Sequence, residues 1–168
     1  MLIVTSLADA CRAYATHKPA RVISLLSEEE ELPCFGALPD DRHLKLYATR
    51  ESCARTISEA ARSRAEAVIR FVSDWDGSGD LLVHCMRGVS RSTAAAFIIL
   101  CIREPQTAED ELARRLRKAA PYADPCPMLV AYADEILGRG GRMIDAIEDL
   151  PPPCTMLSAP VVTFPLAA

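Results

Sequence analysis

The sequence predicts an α/β fold: a mainly parallel central sheet of about four to five strands, flanked by helices, with a helical C-terminal half. Three observations carry this. Short aliphatic runs alternate with segments of helical period. One such run, LLVHC, is apolar on both faces, as a strand in the middle of a parallel sheet must be. After it, only helical patterns follow up to residue 150.

The elements read in order. LIVTS (residues 2–6) and ARVISLLS (residues 20–27) are short buried strands, rich in β-branched and aliphatic side chains. LADACRAYATHK between them suits a helix. SEEEELPCFGALPDDR is a polar loop carrying Pro and Gly. HLKLYA (residues 43–48) alternates and makes a third strand, with His43 at its end. Residues 54–75 place Ile57, Ala61, Val68, Val72 and Trp75 on one face and Arg62, Glu66 and Arg70 elsewhere, which is an amphipathic helix with Trp75 in the core. DGSG breaks it, and DLLVHC (residues 80–85) is the fourth strand. From Ser92 to Arg103 the helix is apolar nearly all round and is expected to be buried. Thr107, with Asp110 three residues on, reads as the N-cap of a helix whose inner face holds Leu112 and Leu116. MLVAYADEILG and RMIDAIEDL give two final helices, the first stopped by Gly138. PPPC opens a tail without period. The organisation is one domain, residues 1–150, and a Pro-rich tail, residues 151–168.

Composition sets limits. The net charge of −4 supplies no global field for nucleic acid or an anionic membrane, so neither is expected as a partner. The basic run Arg114, Arg115, Arg117, Lys118 adjoins Glu109, Asp110 and Glu111 and reads as a solvated face. Seven scattered cysteines, with no C-x-x-C pair, point to neither a disulfide framework nor a zinc site. A reduced, cytoplasmic setting is expected.

The chemistry concentrates in residues 85–91. This loop leaves the carboxyl end of a central strand and enters a helix N-terminus, the edge where ligands bind in open α/β sheets. Successive backbone N–H groups of Met86, Arg87, Gly88, Val89 and Ser90 can converge on one anion, and the helix dipole adds a positive end. Gly88 lets the backbone turn or approach closely. Arg91 offers a planar fork to two phosphate oxygens. The same field favours the thiolate of Cys85. A nucleophile beneath a cradle for a tetrahedral anion suggests phosphoryl transfer through a phosphocysteine. Cys85 is the one cysteine in the chain with Arg six residues on.

HCMRGVSRS (residues 84–92) resembles the H-C-x-x-G-x-x-R-[ST] signature of cysteine-based protein tyrosine and dual-specificity phosphatases. The order of elements is similar too. The chain also resembles the small bacterial tyrosine-phosphatase-like proteins of that superfamily, including LGRGGRM at residues 137–143. The resemblance implies a dual-specificity-like fold with no cofactor and no metal, acting on a phosphorylated substrate, either a phosphoprotein or a small phosphomonoester. It implies that Cys85 is the nucleophile, that Arg91 binds phosphate, that Ser92 assists departure of the cysteine and that His84 tunes the thiol.

The family's acid is usually an Asp on the loop after the strand that precedes the long helix. Here that position falls near Arg50, and no Asp occurs between Asp41 and Asp74. Glu51 is the nearest carboxylate, with Asp40 and Asp41 as the other choices. Relatives often carry Pro-Asn where this chain has Pro125-Cys126, so Cys126 is either a small packed residue or a partner for Cys85 under oxidation. Two other functions use an anion cradle: a phosphate-binding module without turnover, which the missing Asp favours, and a rhodanese-type sulfurtransferase, whose loops are usually one residue shorter.

Overall fold

The structure is a computed structural model that describes residues 1–36, 38–48 and 54–166, the side chains of residues 54–57 excepted. The elements run β1 (Leu2–Ser6), α1 (Leu7–His17), β2 (Arg21–Ser27), a 3₁₀ turn (Asp40–Arg42), β3 (His43–Ala48), α2 (Ala54–Ser73), β4 (Leu81–Cys85), α3 (Arg91–Arg103), α4 (Glu109–Ala119), α5 (Pro127–Ile136), α6 (Arg142–Glu148) and β5 (Val162–Phe164). The five strands lie in the order β3-β2-β4-β1-β5. All neighbouring pairs are parallel except β1 with β5.

Strand alternation divides the core. Leu2, Val4, Ile23, Leu25, Leu81, Val83 and Cys85 join the large cluster with α2 to α6. Ile3, Val22 and Leu82 join Ala10, Ala13 and Phe35 in a smaller cluster beneath α1. β4 lies in the middle, hydrogen-bonded on both sides, and every one of its residues is buried. Behind it α3 is buried from Ser92 to Cys101, as its all-round apolar sequence demands.

Four local expectations are corrected. The α4 N-cap is Ala108, whose side chain makes no cap bond. Thr107 instead gives its N–H to the Glu104 carbonyl at 3.0 Å, in the turn that follows α3, and is thereby withdrawn from the capping position. α2 ends at Ser73, and Trp75 lies in the turn beyond it. The indole is still core at 4 % exposure, its Nε1 donating to the Ser78 carbonyl at 2.9 Å. The basic run of α4 is not one solvated face. Arg115 holds Glu104 with two bonds of 2.5 and 3.0 Å, and Arg117 donates to the carbonyls of Pro151 and Ala123. Lastly, the aperiodic tail supplies β5, which pairs with the open edge of β1 through Leu2↔Phe164 and Val4↔Val162. Three residues are too few to show a period, and the edge of β1 selects them.

The glycine-rich LGRGGRM segment is a clasp. Glu109, buried on α4, receives Arg139 Nη1 at 3.0 Å and Arg142 Nε at 3.1 Å. Arg139 also donates to the Cys101 carbonyl at 2.8 Å, and the Asp134 carboxylate accepts the N–H groups of Gly141 and Met143. Among the described residues no helix is long and apolar enough to cross a membrane.

Candidate active site

β4 ends at Cys85 and α3 begins at Arg91, so five residues, Met86 to Ser90, must reverse the chain. The carbonyls of Met86, Arg87, Val89 and Ser90 are bound from outside the turn. Met86 O accepts from Leu7 N at 3.2 Å, Arg87 O from Ala159 N at 2.8 Å, Val89 O from Asp124 N at 2.9 Å and Ser90 O from Cys126 N at 3.4 Å. Thr93 Oγ1 adds bonds to Val89 O and Ser90 O. Peptide units whose carbonyls are bound outward turn their N–H groups to the concave side, an arrangement that suits an anion. Gly88 has φ +72°, and a Cβ on it would meet Ser6 N and Thr5 C at 2.8 Å and the Ala159 side chain at 2.9 Å. Only glycine meets both demands.

The concave side is a cavity of about 220 Å³ lined by Glu30, Cys85, Met86, Arg87, Val89, Ser90, Arg91 and Asp124. Cys85 is 3 % exposed, at its floor. Its Sγ lies 3.2 Å from Ser92 Oγ, in the first turn of α3. A hydroxyl so placed can donate to a thiolate. Arg91 reaches from the same turn to the end of β2, with Nη1 3.2 Å from Ser27 Oγ and Nη2 3.5 Å from Glu30 Oε1. Glu30 is fixed in turn by the Ser27 N–H, which donates to its Oε2 at 2.7 Å. The arrangement brings a thiol, a hydroxyl, a guanidinium and a ring of amides to one oxyanion-sized space.

His84 and Cys85 are adjacent on β4, so alternation sends them to opposite faces of the sheet. The His84 ring is fully buried on the α1 side, 5.8 Å from the Phe35 ring. Its Nε2 lies 2.6 Å from Ser24 Oγ, and the same hydroxyl lies 2.8 Å from His43 Nε2. Among the described residues Nδ1 of His84, which is buried, has no hydrogen-bond partner. Burial, aided by His43, pushes the His84 pKa down to about 4, so its ring is neutral at pH 7. His43, read from sequence as a strand-end residue, is thus the outer member of a chain of three polar groups.

The other candidates are placed as follows. Arg87 donates from Nε to Leu157 O at 3.1 Å and from Nη2 to Met156 O at 2.6 Å, which ties it to the tail. Asp40 holds Lys45 at 2.7 Å, and neither Asp40 nor Asp41 lines the cavity. Glu51 lies outside the described residues. Cys126 lines a second, mostly apolar hollow of about 230 Å³ with Leu25, Leu46, Arg64 and Leu129, and Arg91 is the wall the two spaces share. Sequence reasoning missed Ser27, Glu30 and Asp124. The run Glu28 to Glu31 does follow β2 at the carboxyl edge of the sheet, where ligands bind. Nothing in four successive glutamates tells which one turns inward.

No protein-family model matches the sequence, and no curated protein matches it. Solved structures do match by fold. The Cydia pomonella PTP-2 phosphatase superposes with a TM-score of 0.57 at 16 % identity, over 80 % of this chain and 84 % of that one. PTPMT1 in complex with PI(5)P gives a TM-score of 0.57 at 13 % identity, over 83 % and 94 %. The human tyrosine phosphatase-like serine/threonine/tyrosine-interacting protein gives 0.55 at 15 % identity, over 82 % and 91 %. With its order of strands, its helices on both faces and its strand–loop–helix site, the chain has the fold of the protein tyrosine and dual-specificity phosphatase superfamily.

Proposed function

We propose that this chain is a phosphomonoester hydrolase of protein-tyrosine-phosphatase type that works through a phosphocysteine on Cys85. The observation that carries the reading is the placement of Cys85 Sγ at the floor of a cavity with Ser92 Oγ at 3.2 Å and Arg91 on its wall. In this reading the substrate phosphate lies on the amides of Met86 to Ser90 and on the fork of Arg91. Cys85 attacks phosphorus as the ester oxygen leaves. Water then attacks the phosphocysteine, and the thiolate departs onto the Ser92 hydroxyl. His84 serves at one remove: neutral and buried on the far face, it fixes the end of β4 from which the loop springs. The substrate is a phosphoprotein or a small phosphomonoester, and the reaction needs no cofactor. A cytoplasmic setting keeps the thiol reduced.

The test is pre-steady-state hydrolysis of 4-nitrophenyl phosphate, with Cys85→Ser as the blank. A burst of nitrophenol equal to the enzyme concentration, with label from phosphate on Cys85, is expected. Cys85→Ser retains phosphate binding and loses turnover. Turnover near wild type in Cys85→Ser would end the phosphocysteine reading. Phosphate binding by the wild type without any turnover would leave the chain a phosphate-binding module. A persulfide on Cys85 would mark a sulfurtransferase.

A further inference from the structure

A phosphocysteine route needs an acid for the leaving oxygen and a base for the attacking water. The position where such a residue was expected holds no Asp, and Asp40 is engaged by Lys45. Among the described residues two carboxylates line the cavity, Asp124 and Glu30. Asp124 is an exposed residue of the α4–α5 connection. The Glu30 side chain is only 15 % exposed and faces the Arg91 guanidinium at 3.5 Å, with its second oxygen held by the Ser27 N–H. It therefore stands beside the group that receives the phosphate.

We propose that Glu30 is the general acid–base of this site, and that substrate binding itself switches it on. The proposal rests on the phosphocysteine reading. In the structure Arg91 pairs with the Glu30 carboxyl at 3.5 Å. An arriving phosphate takes the fork of Arg91 and sets its own negative charge beside Glu30. A carboxylate that loses its cation and gains an anionic neighbour takes up a proton. That proton arrives with the monoanion of the substrate. The Cys85 thiolate then forms the S–P bond while the P–O ester bond breaks. The electron pair goes to the ester oxygen, which receives the proton of Glu30. In the second half water attacks phosphorus and gives a proton to the Glu30 carboxylate, and the S–P pair returns to sulfur. Glu30 is protonated again, and the sum is ester plus water giving alcohol plus phosphate.

Among the described residues, the charged and titratable groups that line the cavity with Glu30 are Cys85 of β4, Arg87 of the loop, Arg91 of α3 and Asp124 of the α4–α5 connection. Glu28, Glu29 and Glu31 are its neighbours in the chain. Arg91 is the nearest cation, at 3.5 Å. Its transfer to phosphate is the change that sets the protonation of Glu30.

The experiment compares 4-nitrophenyl phosphate, whose leaving group needs little help, with phenyl phosphate, whose leaving group needs an acid. General acids are worth roughly 10²–10⁴ in rate. In Glu30→Gln, whose amide oxygen still accepts from Ser27 N–H, the ratio of kcat/KM for the nitrophenyl to the phenyl ester is expected to rise at least tenfold. The basic limb of the phenyl phosphate pH profile disappears with it. If Glu30→Gln fails to fold, Glu30→Asp withdraws the carboxyl by one methylene and the ratio again rises. A ratio unchanged within twofold, together with tighter binding of inorganic phosphate, would make Glu30 a mere counter-ion of Arg91 and overturn the proposal alone. Turnover near wild type in Cys85→Ser would overturn the phosphocysteine reading and the proposal with it.

Discussion

Ala159 donates its N–H to the carbonyl of Arg87 at 2.8 Å, so the tail of the chain grips the turn that surrounds Cys85. Arg87 returns the grip, its guanidinium binding the carbonyls of Met156 and Leu157. Tyr122 Oη holds Pro160 O at 3.2 Å, and Arg117 holds Pro151 O. The tail is thus an outer wall of the site. Arg87→Met removes two charge-assisted bonds at an exposed position, together worth about 1 kcal/mol. Amide exchange at Ala159 is expected to quicken about fivefold, and inorganic phosphate to bind about fivefold more weakly, as followed by exchange and by titration. Unchanged exchange at Ala159 would show that the grip is idle.

Gly88→Ala puts a methyl group within 2.8 Å of the β1 backbone and 2.9 Å of the Ala159 side chain, at φ +72°. Strain of this kind costs about 1–3 kcal/mol. Urea unfolding should register that loss, and phosphate binding should fall with it. Full stability with normal binding would mean that the turn tolerates another path.

Ser92→Ala deletes the hydroxyl 3.2 Å from the Cys85 sulfur. A hydrogen bond to a charged group contributes about 1.5–3 kcal/mol, or roughly 10–100-fold in rate. The deficit should fall on breakdown of the phosphocysteine. A chase experiment should then find the labelled intermediate decaying roughly 10–100-fold more slowly in Ser92→Ala than in the wild type. Equal slowing of formation and breakdown would remove Ser92 from the departure step.

Burial, aided by His43, holds the His84 ring down at about 4 in the folded chain, against about 6.5 for the solvated side chain of the unfolded one. The unfolded state therefore binds the extra proton between these values. This contribution to stability is complete above pH 6.5 and is lost progressively as pH falls from there through about 4. The loss amounts to about 3 kcal/mol. His84→Gln, which cannot titrate, should flatten the plot of unfolding free energy against pH in that window by about one proton. An equally steep plot would assign the proton uptake elsewhere.

Much of the molecule is legible in the sequence because local physics already fixes it. Aliphatic runs and helical periods give β1 to β4 and all six helices, and the double-sided apolarity of LLVHC gives its central place. Cys85, Gly88, Arg91 and Ser92 lie within eight residues, so their shared turn can be read without knowing the rest of the fold. β5 could not be read that way, since three tail residues become a strand only because β1 offers them an edge. The Ser24 bridge between His43 and His84 needs β2 placed between β3 and β4. Glu30 is one of four identical neighbours in sequence, and the closing of β2 beside α3 brings it to Arg91. The sequence by itself determined the sheet, the helices and the thiol-and-arginine turn, because their signals are periodic or contiguous. Only the tertiary structure decided which carboxylate faces that turn and which segment backs it, because those contacts join distant parts of the chain, and no local preference encodes such a meeting.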